Sequence, residues 1–99
     1  MSIEDLEKRI GEAVLFHRLA ASAVRIRPEA AFEYIRAARD ILAQVWLDME
    51  GSAEFSSILV DRIVGIELDL VAVVAALLRV HPDGALERWW AERQRTETI

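Results

Sequence analysis

The chain has 99 residues, of which 54% are hydrophobic and 29% are charged, with a formal net charge of −5 and no cysteine. This length predicts one domain, the apolar content excludes a disordered chain, and the lack of cysteine excludes a disulfide scaffold or a cysteine-based metal site. The acidic balance argues against a strongly basic nucleic-acid-binding protein.

Helix-breaking residues divide the chain into four segments, in which apolar residues recur at helical spacing and no sustained strand alternation occurs. The first segment predicts a helix over about 3–24, with apolar residues three and four positions apart. The second predicts a helix over 28–50, because Pro28 suits the first turn of a helix and Gly51 suits the position just after its end.

The third segment predicts the longest helix, over 53–80, and it carries two apolar stripes. The first stripe consists of Leu59, Ile63, Ile66, Leu70, Val73, Leu77 and Val80. The second consists of Val64, Leu68, Val71, Ala75 and Leu78, roughly 140° away on the helical wheel. Because a surface helix needs only one apolar stripe, this helix is either central in its own bundle or buried by another subunit. A chain of 99 residues cannot easily surround so long a helix, so contact with another subunit is the favoured prediction.

The last segment predicts a short helix over 83–95, anchored by Leu86, Trp89 and Trp90. Neighbouring residues of a helix point about 100° apart, so we expect one tryptophan to pack on the third helix and the other to cover an edge or a partner. The predicted fold is all-α: a small helical bundle of three long helices plus a short C-terminal helix, completed by dimerisation.

Charge is unevenly distributed. Residues 18–39 carry five arginines and two glutamates, a sum of +3, whereas residues 40–69 carry seven acidic residues and one arginine, a sum of −6. The arginines are Arg18, Arg25, Arg27, Arg36 and Arg39. They are interpreted either as an anion-binding or nucleic-acid-binding patch, or as a solvated turn whose arginines pair with neighbouring carboxylates.

No group of residues predicts a chemical site. His17 lies on the apolar stripe of the first helix with alanine four positions away on either side, so it is interpreted as a core residue and not as a metal ligand. His81, just before Pro82, is interpreted as a structural cap of the third helix. Nucleophile motifs and glycine-rich phosphate loops are absent. The sequence therefore predicts no catalytic residue, no cofactor and no metal.

Polar residues interrupt the third helix near its start. Asp61 and Arg62 form a polar pair within a long apolar segment, and such pairs often set the register and partner choice of helices. Gly65 costs about 1 kcal/mol relative to alanine inside a helix. These three residues are interpreted as the point where another helix crosses at close range.

Surplus apolar helix surface without a chemical site favours a non-enzymatic protein, which interacts with other proteins or regulates them as a homo-oligomeric helical bundle. A homodimer is the expected assembly, with a further protein partner possible, and the expected interface residues are Val64, Leu68, Val71, Leu78, Trp89 and Trp90. One alternative is a nucleic-acid-associated regulator that uses the arginine-rich corner, and another is a small-molecule-binding bundle with a pocket beside His17.

Location is predicted from what the sequence lacks and from its composition. The N-terminal residues are acidic where a secretion signal would be basic. The longest apolar run, 70–78, has nine residues, whereas a membrane span needs about 20. We therefore expect a cytoplasmic protein without a membrane segment, and the preference for arginine and alanine is common in proteins from GC-rich bacterial genomes.

Overall fold

The computed structural model describes residues 3–50 and 57–81, together with residues 84, 87, 88, 91, 92 and 95. These residues include no strand, and residues 3–50 and 57–80 contain three long helices, α1 (Ile3–Ala23), α2 (Pro28–Glu50) and α3 (Ser57–Val80). The predicted all-helical architecture is confirmed for this part of the chain. The predicted beginning of the third helix at 53–56, and most of the predicted short helix with Trp89 and Trp90, lie outside the described residues.

A short turn at residues 24–27 joins α1 to α2. Helical hydrogen bonding extends from α1 to the last residue of this turn, because the Arg27 amide donates to the carbonyl of Ala23 at 2.8 Å. The helical hydrogen bonding of α2 begins at the same residue, because the Ala31 amide donates to the carbonyl of Arg27 at 3.0 Å. Pro28 starts α2 at a position whose amide would have no partner within the helix. A connection this short makes the two helices antiparallel neighbours.

Two side-chain pairs link α1 to α2 along their length. Arg9 Nη1 donates to Asp48 Oδ2 at 2.5 Å, near the start of α1 and the end of α2. The rings of Phe16 and Tyr34 stack nearer the turn, with their centroids 6.2 Å apart. The first pair joins the start of α1 to the end of α2, and the second joins the middle of α1 to the first part of α2. This order is that of two antiparallel helices.

The third helix, α3, runs antiparallel to α2 and parallel to α1. Trp46 Nε1 of α2 donates to Glu67 Oε1 of α3 at 2.8 Å. At the other end of α3, the ring of His81 donates from Nε2 to the backbone carbonyl of Val24 at 3.1 Å. The His81 ring, predicted to cap α3, thus joins the end of α3 to the end of α1.

The core consists of one apolar stripe from each helix. In α1 and α2 the buried residues are Leu6, Ile10, Ala13, Ala20, Ala31, Phe32, Ile35, Ala38, Leu42, Val45 and Met49. In α3 they are Leu59, Ile63, Ile66, Leu70, Val73 and Leu77. The alanines let α1 and α2 approach closely, and this pair is much more extensively packed than either helix is with α3.

The molecule is flattened, with extents of 46 × 31 × 16 Å. Its radius of gyration is 14.8 Å, whereas a compact domain of this length has about 13 Å. A flattened bundle covers each helix on fewer sides, and α3, with the sparser packing, keeps its outer face open. None of the three helices combines the length and the apolarity that crossing a membrane requires.

Candidate interaction surface

Exposed apolar side chains form a continuous stripe on the outer face of α3. This outer stripe is defined by Val64, Leu68, Val71, Ala75 and Leu78. The exposed fractions of its four large side chains are 41% for Val64, 64% for Leu68, 65% for Val71 and 36% for Leu78. The six buried residues of the core stripe on the same helix are at most 8% exposed. Among the residues that the structure describes, only one of the two apolar stripes of α3 is therefore covered.

Helix geometry explains why the outer stripe stays open. Its residues lie roughly 140° around α3 from the core stripe, which α1 and α2 cover from one side. Val80, predicted to belong to the core stripe, is 39% exposed because it lies at the last residue of α3. With α1 and α2 both on the core side, no described element of the chain lies over the outer stripe.

A groove between α2 and α3 adjoins the outer stripe through Val71. Its other lining residues include Arg36, Arg39, Trp46 and Glu67. The indole of Trp46 spans the groove to the Glu67 carboxylate, which ties α2 to α3 beside the stripe. The outer stripe and this groove together form one surface, apolar on α3 and bordered by charged residues on α2.

A second groove lies on the other side of α3, between α3 and the end of α1. It is lined in part by His17, Arg25, Asp69 and Arg79. His17 is half-buried there instead of lying in the core as predicted, because the loose packing of α3 on α1 leaves the seam open to solvent. The described residues contain no group of three or more histidine, aspartate or glutamate side chains that could hold a metal ion.

The arginines of the predicted patch do not line one common groove. Arg36 and Arg39 line the groove between α2 and α3, whereas Arg25 lines the groove between α1 and α3. Arg18 and Arg27 are exposed near the turn between α1 and α2. Arg36 Nε also lies 3.9 Å from Asp40 Oδ2. For this one of the five arginines, the structure shows the pairing with a neighbouring carboxylate that the second interpretation predicted.

The predicted crossing point on α3 is not occupied within the described chain. Asp61 and Arg62 are exposed. No atom of the described residues lies within 4 Å of the place that a Cβ of Gly65 would take. The close helix approach proposed for Gly65 therefore does not occur among the described residues of one copy.

The Arg9–Asp48 pair, which joins α1 to α2, shows what sequence analysis missed. The hydrogen bond from Arg9 holds the pKa of Asp48 below its ordinary value of 3.8. Gln44 Nε2 lowers the pKa further by donating to Asp48 Oδ1 at 3.2 Å, while partial burial opposes both effects. The contact between Gln44 and Asp48 could have been predicted from their spacing of four residues in a helix. The contact between Arg9 and Asp48 could not, because the two residues lie on different helices.

Comparison of the chain with protein-family models, with curated proteins and with solved structures gives no match. The function is therefore inferred from the surface itself.

Proposed function

We propose that this protein is a non-enzymatic interaction protein, regulatory or adaptor in role, which acts as a homo-oligomeric helical bundle through the outer stripe of α3. The observation that carries this proposal is the alignment of four large apolar side chains, 36–65% exposed, on one face of one helix. Single exposed apolar residues are ordinary, but a contiguous apolar patch marks an interaction site. Burial releases about 25 cal/mol for each Å² of apolar surface removed from water.

The spacing of the outer stripe supports a second copy of the chain as its partner. Its members follow one another at intervals of four, three, four and three residues, the spacing of a coiled-coil seam. Such a seam is complementary to another seam of the same kind. Two-fold symmetric dimers, in which one patch meets its own copy, are the commonest homo-oligomers.

Light scattering after size-exclusion chromatography, over a range of protein concentrations, tests the proposal. One helix-to-helix contact is small beside a typical interface of about 800 Å² per partner, so we expect the mass to rise from monomer towards dimer with concentration. The double variant Leu68→Glu, Val71→Glu should remain monomeric, because each glutamate would have to be desolvated in the contact.

The matched control is Leu15→Glu, which changes a side chain that is 55% exposed on α1, away from the outer stripe. It should associate like the unmodified protein. A monomer at every concentration, or a double variant that dimerises as well as the control, would contradict the proposal. The roles predicted for Trp89 and Trp90 in an interface remain predictions, since both lie outside the described residues.

The second proposal is a nucleic-acid-associated regulator. It is supported by the exposure of Arg18, Arg25, Arg27 and Arg39, and it is weakened by the division of the arginines between two grooves. Binding through phosphate contacts weakens steeply as salt increases. Replacing Arg25 and Arg27 by alanine should then reduce both the affinity for a mixed-sequence duplex and its salt dependence. Electrophoretic mobility shifts at several salt concentrations would measure both.

We place the protein in the cytoplasm of a bacterial cell. The support is the composition: no cysteine, which suits a reducing compartment, and eleven arginines beside one lysine.

A further inference from the structure

Two exposed residues of opposite charge border the outer stripe on the same edge of α3. Asp61 lies before the first stripe residue and Arg79 lies after the last, and both side chains are exposed. They are 18 positions apart, which is five full turns of a helix at 3.6 residues per turn, or about 27 Å along its axis. One edge of the stripe is therefore negative at its beginning and positive at its end.

The relative direction of two α3 helices decides which charges meet across the contact. In an antiparallel two-fold pair, each edge of one helix faces the same edge of the other with the direction reversed. If the axis passes midway between Leu68 and Val71, these two residues pack against each other across the interface. Asp61 of each copy then lies opposite Arg79 of the other copy, because the midpoint between Asp61 and Arg79 falls within one residue of the same axis.

A parallel pair does not bring these two residues together. In a parallel two-fold pair each edge of one helix faces the opposite edge of the other, so Asp61 and Arg79 of one copy lie on the other side of the contact from Asp61 and Arg79 of the second copy. Only the antiparallel direction places the opposite charges face to face, and complementary charges favour the orientation that pairs them. The charge pattern of α3 therefore discriminates between the two directions, although the apolar seam alone would accept either.

We infer that the outer stripe is covered by a second copy of this chain in the antiparallel direction, with two reciprocal Asp61–Arg79 ion pairs at the ends of the contact. This inference rests on the proposed self-association. Exposed ion pairs add little affinity, but complementary charges select the orientation and register of an interface. The sequence assigns this register role to Asp61 with Arg62. Arg62 follows Asp61 in the sequence and therefore points about 100° away from it on the helical wheel. That direction is remote from the outer stripe.

Disulfide cross-linking measures the direction, because the chain has no cysteine of its own. The variants Val64→Cys and Ala75→Cys each place one thiol in the outer stripe. In the antiparallel register, position 64 of one copy faces position 75 of the other. Two copies of either position are separated by 11 residues, about 16 Å along the axis, whereas a disulfide needs Cα atoms within about 7 Å.

An equimolar mixture of the two cysteine variants should form a mixed disulfide dimer under mild oxidation, identified by its mass. Each variant alone should remain uncross-linked. Cross-linking of each variant with itself and not in the mixture would show a parallel pair. That result would overturn the inference while leaving self-association intact.

Charge exchange tests the two ion pairs. Asp61→Arg and Arg79→Asp should each raise the Kd of the dimer roughly tenfold, because like charges then face each other at both ends. The double variant should recover the original Kd, and Arg62→Asp serves as the control that leaves the Kd unchanged. A dimer whose double variant is no tighter than the single variants would overturn the Asp61–Arg79 pairing. A monomer at all concentrations would overturn the proposed function and this inference together.

Discussion

Arg9 and Asp48 form an ion pair between α1 and α2. Their side chains are 24% and 23% exposed, and Arg9 Nη1 lies 2.5 Å from Asp48 Oδ2. The pKa of Asp48 is lowered chiefly by this hydrogen bond. A carboxyl whose pKa is lower in the folded than in the unfolded chain stabilises the fold above its ordinary pKa. That stabilisation disappears as the pH falls through the lowered folded-state value.

Asp48→Asn should therefore lower the free energy of unfolding at pH 7. The difference from the unmodified protein should shrink as the pH falls below the ordinary value of 3.8, because the carboxyl becomes protonated in both states. Urea unfolding at a series of pH values measures this. The control is Asp40→Asn, whose side chain is 74% exposed, and which should change little. An equal deficit of Asp48→Asn at pH 7 and at pH 2 would contradict this account.

Trp46 shows how one side chain can be both structural and adjacent to a functional surface. It is half-buried in α2, packed against the core. Its indole N–H donates to Glu67 at 2.8 Å, which satisfies the donor of a partly covered aromatic ring. The same bond determines how α2 borders the groove next to Val71.

At the level of the element, α3 differs from α1 and α2 because two of its faces are apolar. Ile63 on the core stripe is fully buried, whereas Leu68 on the outer stripe is 64% exposed. The same helix thus offers two large-to-small substitutions in opposite environments.

Ile63→Ala should destabilise the protein by about 2–5 kcal/mol, because it removes buried contacts and leaves a cavity. Leu68→Ala should cost less than about 0.5 kcal/mol at concentrations where the chain is monomeric, as exposed positions usually do. Chemical unfolding followed by circular dichroism compares the two. Similar losses for both variants in the monomer would show that the outer stripe is covered within one chain.

Gly65→Ala should stabilise α3 by about 1 kcal/mol, since glycine costs that much relative to alanine in a helix interior. The added methyl group meets no atom of the described chain within 4 Å. On the helical wheel Gly65 also lies outside the outer stripe, so the dimer should be unaffected. A loss of stability, or a loss of dimer, measured by thermal unfolding and light scattering, would instead support the close helix approach that the sequence suggested.

At the scale of the whole molecule, stability and association are expected to be coupled. The flattened bundle, 16 Å along its shortest dimension, has a modest core and an uncovered apolar stripe. A dimer that forms only from folded chains stabilises the fold by mass action, so its thermal midpoint depends on protein concentration.

We expect Tm to rise with protein concentration for the unmodified chain. The double variant Leu68→Glu, Val71→Glu should have a Tm that does not change with concentration. Calorimetry over a hundredfold range of concentration makes the comparison, and Leu15→Glu again serves as the control. A concentration-independent Tm for the unmodified chain would mean that folding and association are not linked.

The sequence by itself determined the helices and their core faces. Spacing alone identified both stripes of α3, and six of the seven residues predicted for its core stripe are buried. Helical periodicity is a local property, written into positions three and four apart. The surplus of apolar surface on α3 could also be deduced, because a chain of this length has too few helices to surround one of them.

Only the tertiary structure decided which contacts join the helices and which stripe remains exposed. Arg9 and Asp48 are 39 positions apart, and Trp46 and Glu67 are 21 apart, so their pairing depends on how the helices cross. The same crossing opens the seam beside His17 and separates the arginines of the predicted patch. Helix direction, rotation and packing depth arise from contacts distant in sequence, and no local spacing specifies them.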